Sequence, residues 1–321
     1  MSAPATMLAR AEAYLSERRR LGFVLDRSGS LTLAFARFAD GSGHEGPLTS
    51  AIVLRWVKEE AVHADPFTWA QRLNVLRPFA RHLADAEPRT GFPEGAPFGR
   101  SKRRLAPHIF TPAEVNGLIA AAGTLPAVFG AGPATLPTLL GLLAATGLRI
   151  SEALRLWCGD LSDLNTHITV KRSKFERTRI VPLHPTAAVA LREYLRARAR
   201  LGSTYRSAPL FLDERSGEIL RYAAVRRAWL RLTGDLGIVP RGGHRFIRIH
   251  DLRHTFICRR LMLWQADGTD IDNAMLALST YVGHVNLGDT YWYMQAVPEI
   301  MALAGVRFET LSSHRREARH G

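Results

Sequence analysis

The segment from residue 87 to residue 110 most constrains the fold, because it divides the chain of 321 residues into two blocks. Its sequence, EPRTGFPEGAPFGRSKRRLAPHIF, collects proline, glycine and a basic run, which is typical of a linker. We therefore predict a first domain over residues 1–100, a basic linker over 101–110 and a second domain over 111–311. Residues 312–321 form a basic tail that we expect to be disordered.

Apolar residues in the first block recur at helical spacing, which predicts a small helical domain. They fall in four groups: Leu8, Ala11 and Leu15; Leu31, Phe35 and Phe38; Ile52, Val53 and Trp56; Leu73, Leu76, Phe79 and Leu83.

The second block is predicted to be mainly helical with one β-hairpin. Thr111 and Glu114 flank a proline as in a capping box, so a helix is expected to start there. Residues 146–157, TGLRISEALRLW, predict a glycine turn leading into an amphipathic helix. Residues 167–183, HITVKRSKFERTRIVPL, alternate as a hairpin does, with Lys174 near its tip. The predicted fold class is mainly α with a small antiparallel β-sheet.

The charge of the chain indicates a polyanionic partner. Lysine and arginine number 43 against 29 acidic residues, a formal net charge of +14, and such an excess is typical of nucleic-acid binding. Only four of these residues are lysines, so an arginine-rich codon bias is an alternative explanation. The basic run Lys102, Arg103 and Arg104 is expected either to lie along a phosphate backbone or to be a solvated connector.

Two further features bear on location. Cys158 and Cys258 form neither a disulfide framework nor a zinc spacing, which favours a reducing compartment. The first 20 residues have no long apolar run, so neither a signal peptide nor a membrane span is expected. We therefore expect a cytoplasmic protein.

Residues 250–256, HDLRHTF, allow two interpretations. His250 and His254 stand four apart, as in a zinc peptidase signature. However, Arg253 shares the helical face of His250 and would aim a permanent cation at any metal held there. A phosphate oxyanion fits better, because a guanidinium can make forked hydrogen bonds to it while an imidazole donates or moves a proton. We predict a phosphate site and no metal.

Residues 290–293, TYWY, offer two tyrosines. Residues two apart on a helix point to nearly opposite faces, so only one of Tyr291 and Tyr293 can face a shared site. An unbroken helix from His284 would favour Tyr291, but Asn286 and Gly288 make such a helix doubtful. The pattern alone leaves this choice open.

Four motifs in order, TGLRISEAL, VKRSKFERTRIVPL, HDLRHTF and YVGHVNLGDTYWY, resemble the catalytic motifs of the tyrosine recombinases, the phage-integrase family. The resemblance covers roughly residues 111–300. It implies a helical N-terminal domain that clamps DNA, a mixed catalytic domain, and strand exchange through a covalent 3′-phosphotyrosine. The residues implied as catalytic are Arg149 and Arg253 as the arginine pair, Lys174 of the hairpin, His250, His284, and Tyr293 as the nucleophile.

These roles are also chemically reasonable. Two guanidiniums around a phosphodiester form an electrostatic clamp that requires no metal, and Glu152 could hold Arg149 in place. An arginine is poorly placed at a helix N-terminus unless an anion binds there. Lys174 would protonate the leaving 5′ oxygen. Its neighbours Lys171 and Arg172 are expected to contact DNA.

We therefore predict a site-specific recombinase that cuts and rejoins double-stranded DNA without a cofactor, acting in the integration, excision or transposition of a mobile element. The resemblance implies a pseudo-palindromic site and a homotetramer on DNA, with a monomer in its absence. Three alternatives stay open: a type IB topoisomerase, an inactive DNA-binding regulator of the same fold, and a zinc hydrolase. Assays of DNA cleavage and of metal content test the last two, whereas a type IB topoisomerase shares the cleavage chemistry but relaxes DNA as a monomer.

Overall fold

A computed structural model describes residues 6–59, 65–99, 104–126, 132–171, 178–200 and 205–296. The chain divides into two compact units, Met1–Arg104 and Leu105–Gly321, and the division falls inside the predicted linker. The predicted domain bounds themselves stay predictions. Outside the described residues lie Lys102, Arg103, Arg172, Lys174 and the predicted tail.

The described part of the first unit contains four helices around one apolar core. They are α1 (Met7–Arg20), α2 (Asp26–Gly41), α3 (Ser50–Glu59) and α4 (Pro66–Ala86). The residues predicted from helical spacing supply much of this core, including Leu15, Phe35, Trp56 and Phe79. Asp40, near the end of α2, accepts hydrogen bonds from the first two backbone amides of α1 at 2.8 and 2.9 Å. Because these amides have no partner within α1, the carboxylate stabilises the start of that helix.

The described part of the second unit contains eight helices and one hairpin. The helices are α5 (Pro112–Ala122), α6 (Thr135–Thr146), α7 (Ile150–Ala153), α8 (Pro185–Arg198), α9 (Tyr222–Asp235), α10 (Asp251–Ala266), α11 (Ile271–Val282) and α12 (Gly288–Ala296). The strands β1 (His167–Val170) and β2 (Arg179–Pro182) pair antiparallel, with Val170 opposite Arg179. The fold class predicted from the sequence is therefore confirmed. Among the described residues, no helix has the length and apolarity needed to cross a membrane.

Helix α6 lies in the middle of the second core, because it is apolar on nearly every face. Its residues Leu136, Leu139, Leu140 and Leu143 are at most 1% exposed, as expected for a helix surrounded by other elements. Helix α5 begins with the predicted capping box, in which Thr111 and Glu114 exchange side-chain and backbone hydrogen bonds. The same core packs the buried residues of the hairpin.

Within residues 146–157 the predicted glycine turn forms at Gly147 and a helix begins at Ile150, but that helix is shorter than predicted. Helix α7 has four residues, and a 3-10 turn follows at Cys158–Asp160. Trp157 instead forms an antiparallel bridge with Pro209, and its backbone amide donates to Asp160 Oδ2 at 2.9 Å. Contacts with a distant segment therefore override the local helical pattern, which is common for short helices.

Candidate active site

Arg149 lies between α6 and α7, directly after the turn that ends α6. Its Nη1 donates to Glu152 Oε1 at 2.9 Å, and its Nη2 donates to the Gly283 carbonyl oxygen at 3.0 Å. The first residue of α7 is Ile150, so Arg149 stands at the N-terminal end of that helix. Its side chain is 25% exposed, and an anion can therefore approach it from solvent.

The carboxylate of Glu152 holds two arginines. It accepts two bonds from Arg149, one from Nη1 and one from the backbone amide, and two from Arg179, whose Nη1 and Nη2 lie 3.0 and 2.9 Å from its two oxygens. Its side chain is 4% exposed. Burial alone would raise the pKa of Glu152, but the hydrogen bonds and charges of Arg179 and Arg149 lower it to about 2. The carboxylate is therefore ionised at neutral pH and fixes both guanidiniums.

Arg253 of α10 joins the ends of two other helices. Its Nη1 donates to the Gly147 carbonyl oxygen and its Nη2 to the Val282 carbonyl oxygen, both at 2.7 Å. These carbonyls terminate α6 and α11, where helix carbonyls lack partners and favour a cation. Arg253 is 2% exposed. Burial, with the nearby charge of Arg149, lowers its pKa to about 9, so the guanidinium is still charged at neutral pH.

Gly147 is expected to tolerate alanine poorly, and Gly268 provides a matched control. Both have left-handed φ values, +61° and +73°, which cost a residue with a Cβ about 1 kcal/mol. A Cβ on Gly147 would also lie 2.5 Å from Phe256 Cδ1, whereas Gly268 has nothing within 4 Å. Overpacking adds about 1–3 kcal/mol. Thermal unfolding of Gly147→Ala should therefore occur well below that of Gly268→Ala. Equal midpoints would mean that Phe256 moves aside without cost.

His250 and His284 are two buried imidazoles near this arginine pair. Burial, and after it the charge of Arg253, lowers the pKa of His250 to about 4 and that of His284 to about 3. Both rings are therefore neutral at pH 7. The Nδ1 of His284 lies 2.7 Å from the hydroxyl oxygen of Thr290, which is fully buried. This hydrogen bond fixes the ring and leaves its Nε2 for another partner.

The two tyrosines of α12 have different surroundings. Tyr293 is 3% exposed, and its hydroxyl oxygen lies 2.6 Å from His254 Nδ1. Its ring is nearly parallel to that of His284, with centroids 6.4 Å apart. Tyr291 instead donates to Asp272 Oδ1 at 2.9 Å near the surface, which raises the pKa of Tyr291. An unbroken helix from His284 does not form, because α11 ends at Val282 and α12 begins at Gly288.

The structure therefore brings together Arg149, His250, Arg253, His284 and Tyr293. The rings of His284 and Tyr293 lie nearly parallel, and the charges of Arg253 and Arg149 act on both imidazoles. Among the described residues, no group of three or more His, Cys, Asp or Glu side chains is placed to hold a metal ion.

The predicted DNA-binding residues that the structure describes are Lys171 and Arg104. Lys171 follows β1, is 61% exposed and pairs with Asp160 Oδ1 at 2.7 Å. Together with Glu152 it lines a cavity of about 550 Å³. Arg104 is exposed at the end of the first unit. Lys174, Arg172, Lys102 and Arg103 lie outside the described residues.

Two residues of this site were not assigned a role in it from the sequence. Arg179 occupies the side of β2 that also buries Val181, and the intervening Ile180 is 61% exposed. An arginine on the apolar face of a strand is a detectable signal, since a buried charge requires a partner. The sequence pattern gives His254 a role only as half of a metal pair with His250. Its bond to Tyr293 joins residues 39 apart in sequence, and no local pattern reports such a contact.

Chemically, this arrangement can bind an oxyanion between two fixed guanidiniums and present a phenol oxygen beside it. The fold agrees with that chemistry. XerH site-specific recombinase, in a post-cleavage complex with palindromic difH substrate, matches with a TM-score of 0.64 at 17% identity, over 95% of this chain and 86% of that one. The Tn1549 transposon integrase, in complex with transposon right end DNA, matches with a TM-score of 0.63 at 16% identity. The match covers 91% of this chain and 98% of that one. The fold is that of the tyrosine recombinases.

Sequence comparison agrees with this fold. The profile of the phage integrase family matches residues 108–299. An integrase/recombinase of Sinorhizobium fredii, y4rB, is 31% identical over 301 residues, which cover 93% of this chain and 95% of that relative. Tyrosine recombinase XerD of Bradyrhizobium diazoefficiens is 27% identical over 239 residues, 72% of each chain. The chain belongs to the phage integrase family and is a tyrosine recombinase.

Proposed function

We propose that this protein is a site-specific recombinase that cuts DNA one strand at a time through a 3′-phosphotyrosine intermediate. It would need neither a metal ion nor ATP and would integrate, excise or transpose a mobile element. One observation carries the proposal: the buried phenol of Tyr293 lies in the same site as Arg149, His250, Arg253 and His284.

In this proposal the arginines bind the scissile phosphate. The guanidiniums of Arg149 and Arg253 donate to its non-bridging oxygens, where negative charge increases as phosphorus becomes five-coordinate. Both are fixed before DNA arrives, one by Glu152 and the other by two helix-terminal carbonyls. Such preorganisation favours the transition state, because no group has to be reoriented during the reaction. His250 and His284, being neutral, donate further hydrogen bonds through a ring N–H.

The covalent step conserves the energy of the phosphodiester. The oxygen of Tyr293 forms a bond to phosphorus, the bond to the 5′ oxygen breaks, and Lys174 gives that oxygen a proton. A 5′ hydroxyl of the other duplex then attacks the phosphotyrosine and releases the phenol. Since one ester replaces another at each step, no nucleotide cofactor is needed.

The proposed partner is double-stranded DNA with a pseudo-palindromic site, on which four copies of the chain assemble. Three observations support this partner: the net charge of +14, the palindromic substrate of XerH and the transposon-end DNA of the Tn1549 integrase. We propose that Lys102, Arg103, Arg104, Lys171 and Arg172 contact the phosphate backbone. Each such contact would release counterions and make binding salt-dependent.

Trapping the covalent intermediate tests this function. DNA flanking the gene is searched for an inverted repeat around a short spacer, and that repeat is made into a nicked substrate that loses its 5′ end after cleavage. With excess EDTA present, the purified full chain should become attached to a 3′ end, and acid hydrolysis should release phosphotyrosine. The guanidinium clamp supplies the positive charge that a metal would otherwise provide. Loss of cleavage in EDTA that zinc restores would contradict the proposal, as would a phosphoserine adduct.

A further inference from the structure

His254 and Tyr293 share a hydrogen bond that the mechanism above does not use. The Nδ1 of His254 and the phenol oxygen are 2.6 Å apart, at the short end of the hydrogen-bond range. Their ring centroids are 5.5 Å apart. His254 is on α10 and Tyr293 on α12, so two separate helices place these atoms together. The contact therefore concerns the very oxygen that is proposed to attack phosphorus.

The surroundings of this pair are mostly apolar and aromatic. Tyr293 is 3% exposed and belongs to a core cluster with Ile257, Leu261 and Met275. The ring of His250 stands edge-on to that of His254 with centroids 4.7 Å apart. Because little solvent reaches the phenol, bulk water is a poor acceptor for its proton.

We propose that His254 is the general base that takes the phenol proton of Tyr293 as its oxygen attacks the phosphorus. This inference rests on the function proposed above. This role requires the tautomer in which Nδ1 is unprotonated and Nε2 carries the ring proton, so that the phenol donates to Nδ1. A base in hydrogen-bond contact with the nucleophile is the arrangement that activates hydroxyl groups in other enzymes.

The proton and bond changes balance. The oxygen of Tyr293 bonds to phosphorus while its proton passes to Nδ1 of His254, which becomes an imidazolium. The bond between phosphorus and the 5′ oxygen breaks, and that oxygen keeps the electron pair and receives a proton from Lys174. During rejoining the imidazolium returns its proton to the departing phenol oxygen.

The charges around His254 make the transfer of the proton from Tyr293 depend on bound DNA. Burial, and after it the charges of Arg248 and Arg253, lowers the pKa of His254 to about 2. The ring is therefore neutral and able to accept a proton throughout the neutral pH range. These same groups oppose an imidazolium until an anion is present. A phosphodiester bound at Arg253, the preceding residue, supplies that anion and gains a second charge during attack, so proton transfer and attack occur together.

In His254→Asn, the amide oxygen can take the place of Nδ1 and accept the hydrogen bond from the phenol. It does not become protonated near neutral pH, so this variant tests whether His254 must accept the proton. At saturating nicked DNA and pH 7, this variant should form the covalent complex about 10²–10⁴-fold more slowly than the parent. Its rate should rise as the pH is raised, because ionisation of the phenol then replaces the missing base. The rate of the parent should change far less over that range.

A more acidic phenol provides a second measurement. Fluorinated tyrosine introduced at position 293 ionises more easily and should restore much of the lost rate to His254→Asn. A bridging 5′ sulfur in the DNA should not restore it, because the leaving group is not what His254 assists. If His254→Asn unfolds at a lower temperature or fails to bind DNA, His254→Gln allows the same comparison.

The outcomes are distinguishable. A parental rate for His254→Asn would overturn the inference and leave the proposed function intact, since the ring would then only position the phenol. A slow variant that neither higher pH nor the fluorinated tyrosine restores would also overturn it. A covalent complex formed by Tyr293→Phe would instead contradict the nucleophile and, with it, the proposed function.

Discussion

Tyr293→Phe is expected to bind its DNA site with an affinity close to that of the parent and to form no covalent complex with a nicked substrate. Only the hydroxyl is removed, so the ring can still pack against His284 and the arginines can still bind the phosphate. Without an attacking oxygen the phosphodiester is stable, and the loss should be complete within detection. Gel separation of protein–DNA adducts measures the covalent step, and a mobility shift measures binding.

Tyr291→Phe is the matched control, since it removes the same atom two residues earlier. This variant loses the hydrogen bond from Tyr291 to Asp272, a contact near the surface. It should still form the adduct at a rate near that of the parent. An adduct with Tyr293→Phe and none with Tyr291→Phe would reverse the assignment.

Lys174→Ala is expected to slow cleavage of ordinary DNA by about 10²–10⁴-fold. If this lysine protonates the departing 5′ oxygen, its removal leaves a strongly basic alkoxide as the leaving group. A bridging 5′ sulfur leaves instead as a thiolate, whose conjugate acid has a pKa of about 8.5 in the cysteine reference, and this group hardly needs an acid. On such DNA, Lys174→Ala should cleave nearly as fast as the parent. Single-turnover rates on the two substrates provide the comparison.

Arginine variants show whether that rescue is specific. Arg149→Ala and Arg253→Ala should recover much less on the sulfur substrate, because their guanidiniums are proposed to bind the non-bridging oxygens, which are unchanged. Equal impairment of Lys174→Ala on both substrates would mean that this lysine is not the acid. Lys171 and His250 would then be the next candidates.

Local sequence patterns were sufficient for much of the fold. The capping box at Thr111 and the alternation of the hairpin are encoded within a few residues, and both form as predicted. The helix predicted after the turn at Gly147 ends early, at Ala153, and Trp157 pairs with Pro209, a partner that a local pattern does not contain. Propensity is a weak guide where a distant segment offers competing hydrogen bonds.

The sequence indicated only some of the residues of the candidate active site. Motif order indicated the two arginines, the two histidines and one tyrosine, because each lies within a short recognisable run. The roles of Arg179 and His254 depend on contacts across 27 and 39 residues. Sequence spacing alone does not report such contacts. The same is true of the burial that keeps the imidazoles neutral, because it depends on how whole helices pack.

The cluster of Arg149, Arg179, Arg253 and Glu152 has a consequence for electroneutrality. Three guanidiniums and one carboxylate leave two positive charges uncompensated. A DNA phosphodiester in its ground state carries one negative charge, whereas the five-coordinate phosphorus of the proposed reaction carries two. The two positive charges are therefore fully neutralised only by the five-coordinate phosphorus. Uncut DNA and cut DNA each leave one positive charge uncompensated. A cluster whose charge is better matched to the transition state than to the substrate or the product accelerates both cleavage and rejoining.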